Sequence, residues 1–217
     1  MRLNCAEKFL ILIYNSNGHT EFTVVKPVVQ IGLIASILLD LQKSSNVELA
    51  NNQFTVIKKH TDLSNAHKML LNNLIRINKQ LELKEIISHY SKLGQKLKMN
   101  VVEQLRKKGI VKLSVKNFLL FKLKTSYLTA ENLRNDIKSE TRKTLFSETV
   151  NVETLEPIER LIVAFGFHKT IMKNRSEIDF VSSRFNELIK RDSVLKDLEK
   201  IADKYNSINK AWIMPPP

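Results

Sequence analysis

The sequence predicts a mainly α-helical protein, folded as a single compact helical domain with one or two small β-hairpins. Hydrophobic residues make up 43% of the 217 residues and mix with charges along the whole chain, so one sizeable core can form. Only five Gly and five Pro occur, and three of the Pro are the last three residues, which favours long helices over a fold with many turns. We assign residues 1–210 to this domain and residues 211–217 to a Pro-rich tail.

The first helix is predicted to begin at Asn4, because Glu7 stands three residues later and the two side chains can form a reciprocal capping box. It is expected to end near Tyr14, before a polar turn at 15–18. Nearly every residue of 28–42 is apolar, which predicts a helix enclosed by others at the centre of the fold.

The middle of the chain predicts short strands and further helices. Asp62 is expected to cap a helix, and Lys108-Gly109 to end another in a left-handed conformation. The expected segments are strands at 47–49 and 54–57, helices at 83–91 and 92–107, and a hairpin of 110–113 with 118–123 around a turn at 114–117. A helix is expected to begin at Thr129, followed by helices at 155–170, 177–189 and 194–205.

The formal net charge of +13 predicts attraction to polyanions, either anionic lipid or nucleic acid; the alternative is a lysine-rich surface with no such partner. Residues 92–124 hold ten cations and one acid, Glu103, so a net +9 is concentrated there. The same segment contains the apolar run Phe118, Leu119, Leu120 and Phe121.

An apolar hairpin surrounded by lysines suits a membrane interface, where cations stay at the headgroups and the apolar tip enters the acyl boundary. The candidate lipid-binding residues are therefore Lys96, Lys98, Arg106, Lys107, Lys108 and Lys112, with the residues of 118–121 inserting. The longest apolar run, 9–14, is far below the roughly 20 residues of a spanning helix, so the expected contact is peripheral. Burial of 118–121 in the core or in an oligomer contact is the alternative.

Two other functions stay open. A basic helix followed by Lys-Gly and a hairpin is similar to a winged helix, with Lys92, Lys96 and Lys98 on phosphates and Lys112 and Lys116 on the wing. Against nucleic acid, the helix has few Asn, Gln or Arg suited to base edges. A protein-interaction scaffold that assembles through the hairpin is the third candidate.

Motifs for catalysis or metal binding are absent from the sequence. It has no glycine-rich phosphate loop, nucleophile elbow or paired-cysteine motif, and His60 and His67 are seven residues apart, which does not place two ligands on one helix face. We expect no enzyme activity, cofactor or metal. The single cysteine, Cys5, excludes an internal disulfide and suits a reducing, cytoplasmic location.

Several segments together resemble the Golgi phosphoprotein 3 family. The most specific are 105–111, 116–121 and 128–129, which are similar to the central signature of the family. Residues 3–13, 18–22, 32–41 and 47–49 resemble its opening helix, the following turn, and its central helix and strand. Order and spacing agree from about residue 3 to 145, and more loosely to about 189.

The resemblance implies a helical fold around a four-helix core with a protruding hairpin that inserts into a membrane or joins oligomers. It implies a peripheral membrane protein that recognises phosphatidylinositol 4-phosphate, at the cytosolic face of the Golgi in eukaryotes. There it acts as an adaptor for the cytoplasmic tails of glycosyltransferases. Bacteria also carry members.

The residues of the family's lipid pocket differ here. Its loop tryptophan falls near Thr23, its central-helix arginine at Ile34, and its two arginines before the hairpin at Gln95 and Lys98. Only Lys98 keeps the charge, and lysine lacks the forked hydrogen bonding of arginine. We therefore expect a divergent member that binds anionic lipid, with Gln95 added to the candidate residues.

Overall fold

The computed structural model describes residues 2–13, 26–50, 53–57, 62–118, 121–147, 150–167, 171–172 and 174–210. Residue 26 and residues 114–118, 121–126 and 205–210 are described by their backbone alone. The predicted tail at 211–217 and the predicted turn at 15–18 lie outside the described residues.

The described part of the chain is mainly α-helical, as predicted. Its helices are α1 (Cys5–Ile13), α2 (Lys26–Lys43), α3 (Asn65–Ile77), α4 (Leu83–Tyr90), α5 (Gly94–Lys107), α6 (Glu131–Phe146), α7 (Pro157–Ala164), α8 (Arg175–Arg191) and α9 (Ser193–Lys210). One turn of 3₁₀ helix, Ser91–Leu93, joins α4 to α5.

Two small antiparallel sheets accompany the helices. The first has the order β1 (Val47–Ala50), β2 (Gln53–Val56), β3 (Leu81–Glu82), and the second pairs β4 (Val111–Phe118) with β5 (Phe121–Leu128). Strands β1 and β2 confirm the two predicted strands. Strand β3, which pairs with residues 53 and 54, was not predicted, because two residues are too few to show the alternation of a strand.

Helix α2 is the centre of the fold. Its residues Ile31, Ile34, Leu38 and Leu41 are at most 1% exposed. Helices α1, α3, α4, α5, α7 and α9 all contact it. Complete burial of each such side chain contributes roughly 1.5–3 kcal/mol, so enclosing this helix is a large part of the driving force for folding. The predicted central helix is confirmed.

Helix α1 approaches α2 closely at Gly32. A β-carbon at this position would lie 2.1 Å from Cζ of Phe9. Phe9 is itself 1% exposed, so its ring cannot move aside without opening the core. Gly32 thus sets the distance between the two helices.

The carboxylate of Asp40 joins three helices. Its Oδ1 accepts a hydrogen bond from the backbone N–H of Cys5 at 3.0 Å and its Oδ2 one from that of Ala6 at 3.3 Å, which satisfies two amides in the first turn of α1. Oδ2 also lies 3.1 Å from Nε2 of His67 on α3. The buried ring of His67 is held on its other side by Ser64, whose Oγ lies 2.6 Å from Nδ1.

The N-terminal caps confirm one prediction and correct another. Asn4 Oδ1 accepts from the backbone N–H of Glu7 at 2.8 Å and Glu7 Oε2 from that of Asn4 at 3.0 Å, which is the predicted capping box. The cap of α3 is Ser64 and not Asp62, because the helix begins one residue after Ser64, whose Oγ accepts from the N–H of His67. Asp62 is exposed and precedes the cap by two residues.

Two helix boundaries also differ from the prediction. The helix expected from Thr129 begins at Glu131, because Thr129 bonds to the base of the hairpin instead. The helix expected over 155–170 ends at Ala164, and Gly166, with φ 66°, turns the chain away. Residues 168–170 lie outside the described residues.

The second sheet corrects the predicted hairpin turn. Strands β4 and β5 pair without a break from Val111–Leu128 to Phe118–Phe121, so residues 114–117 belong to a strand and the chain reverses between 118 and 121. Apolar and polar residues alternate from 111 to 116, which is the period of a strand. Polar residues are also common in turns, which is why the sequence suggested a turn at 114–117.

The described residues contain no helix that is both long and apolar enough to cross a bilayer. The same residues contain no group of three or more His, Cys, Asp or Glu side chains that could hold a metal ion.

Burial raises the pKa of the Cys5 thiol well above its ordinary value, and the nearby Asp40 carboxylate adds to the rise. This thiol is therefore a poor nucleophile in the folded protein.

Replacing Asp40 with Ala should destabilise the fold strongly. The variant loses the acceptor of two α1 amides and leaves Nε2 of the buried His67 without its partner, so we expect the free energy of unfolding to fall by about 2–4 kcal/mol. Urea unfolding followed by far-UV circular dichroism measures this change. Asp136→Ala, an exposed position on α6, is the control. Equal losses in both variants would contradict the role given to Asp40.

Candidate functional site

Helix α5 presents two of the predicted basic residues on one exposed face. Leu97, Val101 and Leu105 are at most 1% exposed and form the side that faces the core, where α5 contacts α1, α2 and α3. Lys96 and Lys107 are both exposed. Eleven residues at about 100° each bring them within about 20° of one another around the helix axis. The helix therefore places these two lysines on one exposed face.

Lys96 and Lys98 do not share that face. Two residues correspond to about 200° around the axis, so the two side chains leave opposite sides of the helix. Lys98 is half-buried and takes part in another interaction, whereas Lys96 is exposed. Gln95 is exposed and is the nearer neighbour of Lys98 on the helix surface. One phosphate group cannot be held by Lys96 and Lys98 together.

The positions that the resemblance relates to headgroup binding lie in different surroundings. Ile34 is fully buried in α2. Beside it, α5 approaches α2 so closely that a β-carbon at Gly94 would lie 2.6 Å from Cβ of Gln30. Position 23 lies outside the described residues. Gly94 therefore leaves no room for a side chain at this contact, and Gln30 and Ile34 beside it are uncharged.

Arg106 is engaged by an acid on its own helix. Its Nε and one terminal nitrogen donate to the carboxylate of Glu103 at 2.8 and 2.7 Å. This forked pair raises the pKa of the guanidinium and lowers the pKa of the carboxyl group. Both side chains are exposed, so the contact orients Arg106 and stabilises the fold little.

Lys108 neutralises a buried acid. Its Nζ lies 2.7 Å from both carboxylate oxygens of Glu7, whose side chain is 1% exposed, and it also donates to the carbonyl of Arg2 at 3.3 Å. The pair ties the end of α5 to the beginning of α1, across 101 residues of sequence. Because its charge is balanced inside the protein, Lys108 contributes less than Lys96 and Lys107 to an external field.

The chain leaves α5 through the left-handed cap that the sequence predicts. Gly109 has φ 73°, its N–H bonds to the carbonyl of Arg106, and the N–H of Ile110 bonds to that of Leu105. These two bonds are a Schellman motif. Thr129 then closes the base of the hairpin, since its N–H and Oγ both donate to the carbonyl of Ile110 at 2.9 Å.

The hairpin is anchored at one end. The first cross-strand pair, Val111 and Leu128, is 6% and 4% exposed, whereas Lys112 beside it is exposed. The last pair, Phe118 and Phe121, lies seven residues further along the ladder, a distance of about 23 Å. Cross-strand partners belong to the same face of a ladder, so positions 118 and 121 lie on one face of it. Leu119 and Leu120 lie outside the described residues.

Another group of cations was not singled out from the sequence. Arg134, Lys138 and Arg142 follow one another at intervals of four residues on α6, and all three are half-buried. The four-residue spacing is visible in the sequence, but the burial results from tertiary packing. These residues lie on a different helix from the predicted basic face.

Comparison with known protein families identifies the family of this chain. The model of the family described as Golgi phosphoprotein 3 (GPP34) matches residues 5–205, which is nearly the whole chain. No curated protein matches this sequence. The family match includes α5, the hairpin and α6.

Glu7→Gln should destabilise the protein more than Glu103→Gln. The first change removes the negative charge beside Lys108 in a site where Glu7 is buried, so we expect the free energy of unfolding to fall by about 1–3 kcal/mol. The second breaks an exposed pair and should leave the urea midpoint nearly unchanged. Parallel urea titrations compare the two variants. A larger loss of stability in Glu103→Gln would contradict the stabilising role given to the Glu7–Lys108 pair.

Proposed function

This chain belongs to the Golgi phosphoprotein 3 family, and we propose that it is a peripheral membrane protein that binds anionic lipid. The proposed contact surface is the exposed face of α5, with Lys96 and Lys107, together with Lys112 and the hairpin. The observation that carries the proposal is the hairpin, whose base is buried while its other end pairs Phe118 with Phe121 about 23 Å away.

Two physical contributions support docking on a membrane. Each lysine near an anionic leaflet contributes roughly 1 kcal/mol. Each large apolar side chain that leaves water contributes roughly 1.5–3 kcal/mol. A protein that places lysines at the headgroups and an apolar tip in the acyl boundary gains both at once.

The proposed headgroup preference is for negative charge in general. The family is associated with phosphatidylinositol 4-phosphate, but Ile34 is buried and uncharged here, and Gln95 is neutral. Lys98 offers a point charge without the forked donors of arginine.

We further propose that the bound protein acts as an adaptor for cytoplasmic tails of membrane enzymes, on the cytosolic face of the membrane.

Reversing the two exposed charges of α5 should weaken vesicle binding. Removing two attractions of roughly 1 kcal/mol each predicts a loss of at least about 30-fold in affinity for the double variant Lys96→Glu, Lys107→Glu. Co-sedimentation with vesicles of neutral lipid and generic anionic lipid measures it.

The matched control is Lys68→Glu, Lys196→Glu, at two exposed positions in the first turns of α3 and α9. Each pair replaces two positive by two negative charges, so both variants carry 13 − 4 = +9. Equal weakening in the two variants would mean that net charge alone drives binding and would reject the α5 face. Tighter binding to duplex DNA than to vesicles, lost steeply with salt, would favour the nucleic-acid alternative.

Serine at the end of the hairpin should abolish the apolar part of binding. We expect Phe118→Ser, Phe121→Ser to reduce affinity for anionic vesicles at least about 10-fold, and Phe180→Ser, at an exposed phenylalanine of α8, to leave it unchanged. Size-exclusion chromatography with light scattering, run on the same samples, tests the scaffold alternative. Dissociation of an oligomer with unchanged vesicle affinity would support that alternative and reject insertion.

Vesicles with phosphatidylinositol 4-phosphate, matched in charge to the generic anionic vesicles, test headgroup preference. We expect equal affinity for the two compositions, because the described residues that correspond to the family's pocket arginines lack arginine's forked donors. A clear preference for the phosphoinositide would contradict charge-driven binding and show that other residues read the headgroup.

A further inference from the structure

Strand β2 has a free edge along the second half of its length. Strand β1 pairs with all four of its residues, but β3 pairs only with Gln53 and Phe54. The backbone groups of successive residues in an antiparallel strand point alternately to its two sides. The N–H of Ile57 bonds to the carbonyl of Asn46, on the side of β1, so the N–H and carbonyl of Val56 point to the side where β3 has ended. Within the described residues, no backbone hydrogen bond reaches Val56 from that side.

A cavity of about 350 Å³ lies along this free edge. Residues 55–57 all line it, and because their side chains alternate between the two faces of the strand, a cavity that touches all three lies against the edge. Residues 78–80, which connect α3 to β3, line it as well. A continued ladder would pair residue 79 with Val56, but the chain turns at Asn78, with φ 51°, and both residues line the cavity instead. The cavity thus offers a free strand edge to a ligand.

The apolar part of the lining is aliphatic. Val56 and Ile57 of the edge and Leu74 and Ile75 of α3 contribute to it. Ile57 is 50% exposed, which is unusual for so large an apolar side chain and leaves part of this surface in contact with water. An aliphatic side chain of a ligand can bury itself here.

The polar part of the lining is suited to a peptide backbone. The amide groups of Asn78 and Gln80 each carry donors and an acceptor, as a peptide group does, and both side chains are exposed. Neither amide group makes a hydrogen bond within the part of the chain that the structure describes. Together with the N–H and carbonyl of Val56, they supply paired donors and acceptors on one cavity.

Lys79 gives the cavity a positive charge. Among the described residues that line it, Lys79 is the one that carries a charge, and Arg76 is exposed nearby in the last turn of α3. Neither cation forms an ion pair within the described ranges. The carboxylate of Glu48 belongs to β1, across β2 from the cavity. An acidic ligand therefore complements the charge of this site.

We propose that this cavity binds an extended, acidic peptide segment of a partner protein, which adds as a strand to the free edge of β2. The backbone of Val56 pairs with the peptide backbone, an aliphatic side chain of the peptide enters the cavity, and a neighbouring carboxylate meets Lys79. The site is built from β2, α3 and the segment that follows α3. It uses no residue of the α5 face or the hairpin, so it does not depend on the function proposed for them.

Backbone-amide NMR of the full chain, titrated with the peptide acetyl-Glu-Val-Glu-Leu-Glu-amide, tests the site. We expect the amide resonances of residues 55–57 and 78–80 to shift, with a dissociation constant of about 1 mM or lower. The same peptide with Lys in place of each Glu should bind at least about 10-fold more weakly, because its charge has the sign of Lys79. Unshifted resonances at about 5 mM of the acidic peptide, or equal affinity for the two peptides, would overturn the proposal.

Val56→Pro removes the N–H that the added strand requires. Proline is tolerated at a strand edge whose N–H faces outward, and the bonds of β2 to β1 come from the neighbouring residues. This variant should bind the acidic peptide at least about 10-fold more weakly than Val56→Ala, which loses the same side chain but keeps the N–H. Equal affinity of the two variants, with urea midpoints that show both folded, would reject strand addition.

Lys79→Glu tests the charge without a change of backbone. Its matched control is Lys68→Glu, an exposed position in the first turn of the same helix, and each variant carries 13 − 2 = +11. Lys79→Glu should weaken binding of the acidic peptide at least about 10-fold and Lys68→Glu should leave it unchanged. Equal weakening would mean that net charge alone attracts the peptide and would reject the site.

Decanoate, a single acyl chain with a carboxylate, tests the other kind of occupant. If decanoate shifts the resonances of residues 55–57 and 78–80 and the acidic peptide does not, the cavity holds a lipid chain and the peptide proposal is wrong. Shifts caused by the peptide with none caused by decanoate support the proposal.

Discussion

The enclosure of α2 is the constraint on which the remaining structure depends. A helix that is apolar on every side has no face for water, so six other helices must surround it. That requirement fixes α1 across Gly32, where the ring of Phe9 leaves no room for a side chain. Asp40 adds polar contacts to the apolar packing of α2, because its carboxylate caps α1 and holds His67 of α3. Apolar packing sets the distances between the helices, and the carboxylate of Asp40 fixes the beginnings of α1 and α3 beside α2.

The position of α1 in turn fixes the base of the hairpin. Glu7 both caps α1 and binds Lys108, the residue that ends α5. The Schellman motif at Gly109 and the bonds of Thr129 follow within a few residues. The hairpin therefore leaves the core from a buried, hydrogen-bonded base, and its two strands of eight residues extend from there. A lipid-binding hairpin on a mobile base would lose affinity to the entropy of ordering it.

Features that depend on neighbouring residues could be predicted from the sequence, and features that depend on distant ones could not. The apolar run of α2, the Asn4–Glu7 box and the glycine cap of α5 each lie within one continuous stretch. The choice between Asp62 and Ser64 as a cap depends on the path of the chain, since both residue types cap well. The partner of Lys108 lies 101 residues away, and the four-residue spacing of Lys138 gave no sign of its burial.

The geometry of α5 favours attraction to several negatively charged lipids, and not recognition of one particular headgroup. Lys96 and Lys107 are eleven residues apart, which corresponds to about 16 Å along the helix, so in the proposed contact they would meet different lipids. Lys98 points away from both. Such a surface responds to the number of negative lipids beneath it and weakens as salt shortens the range of the field. An inserted apolar tip is insensitive to salt, so the proposed two-part contact should weaken in high salt without being abolished, whereas purely electrostatic docking on lipid or nucleic acid would be lost.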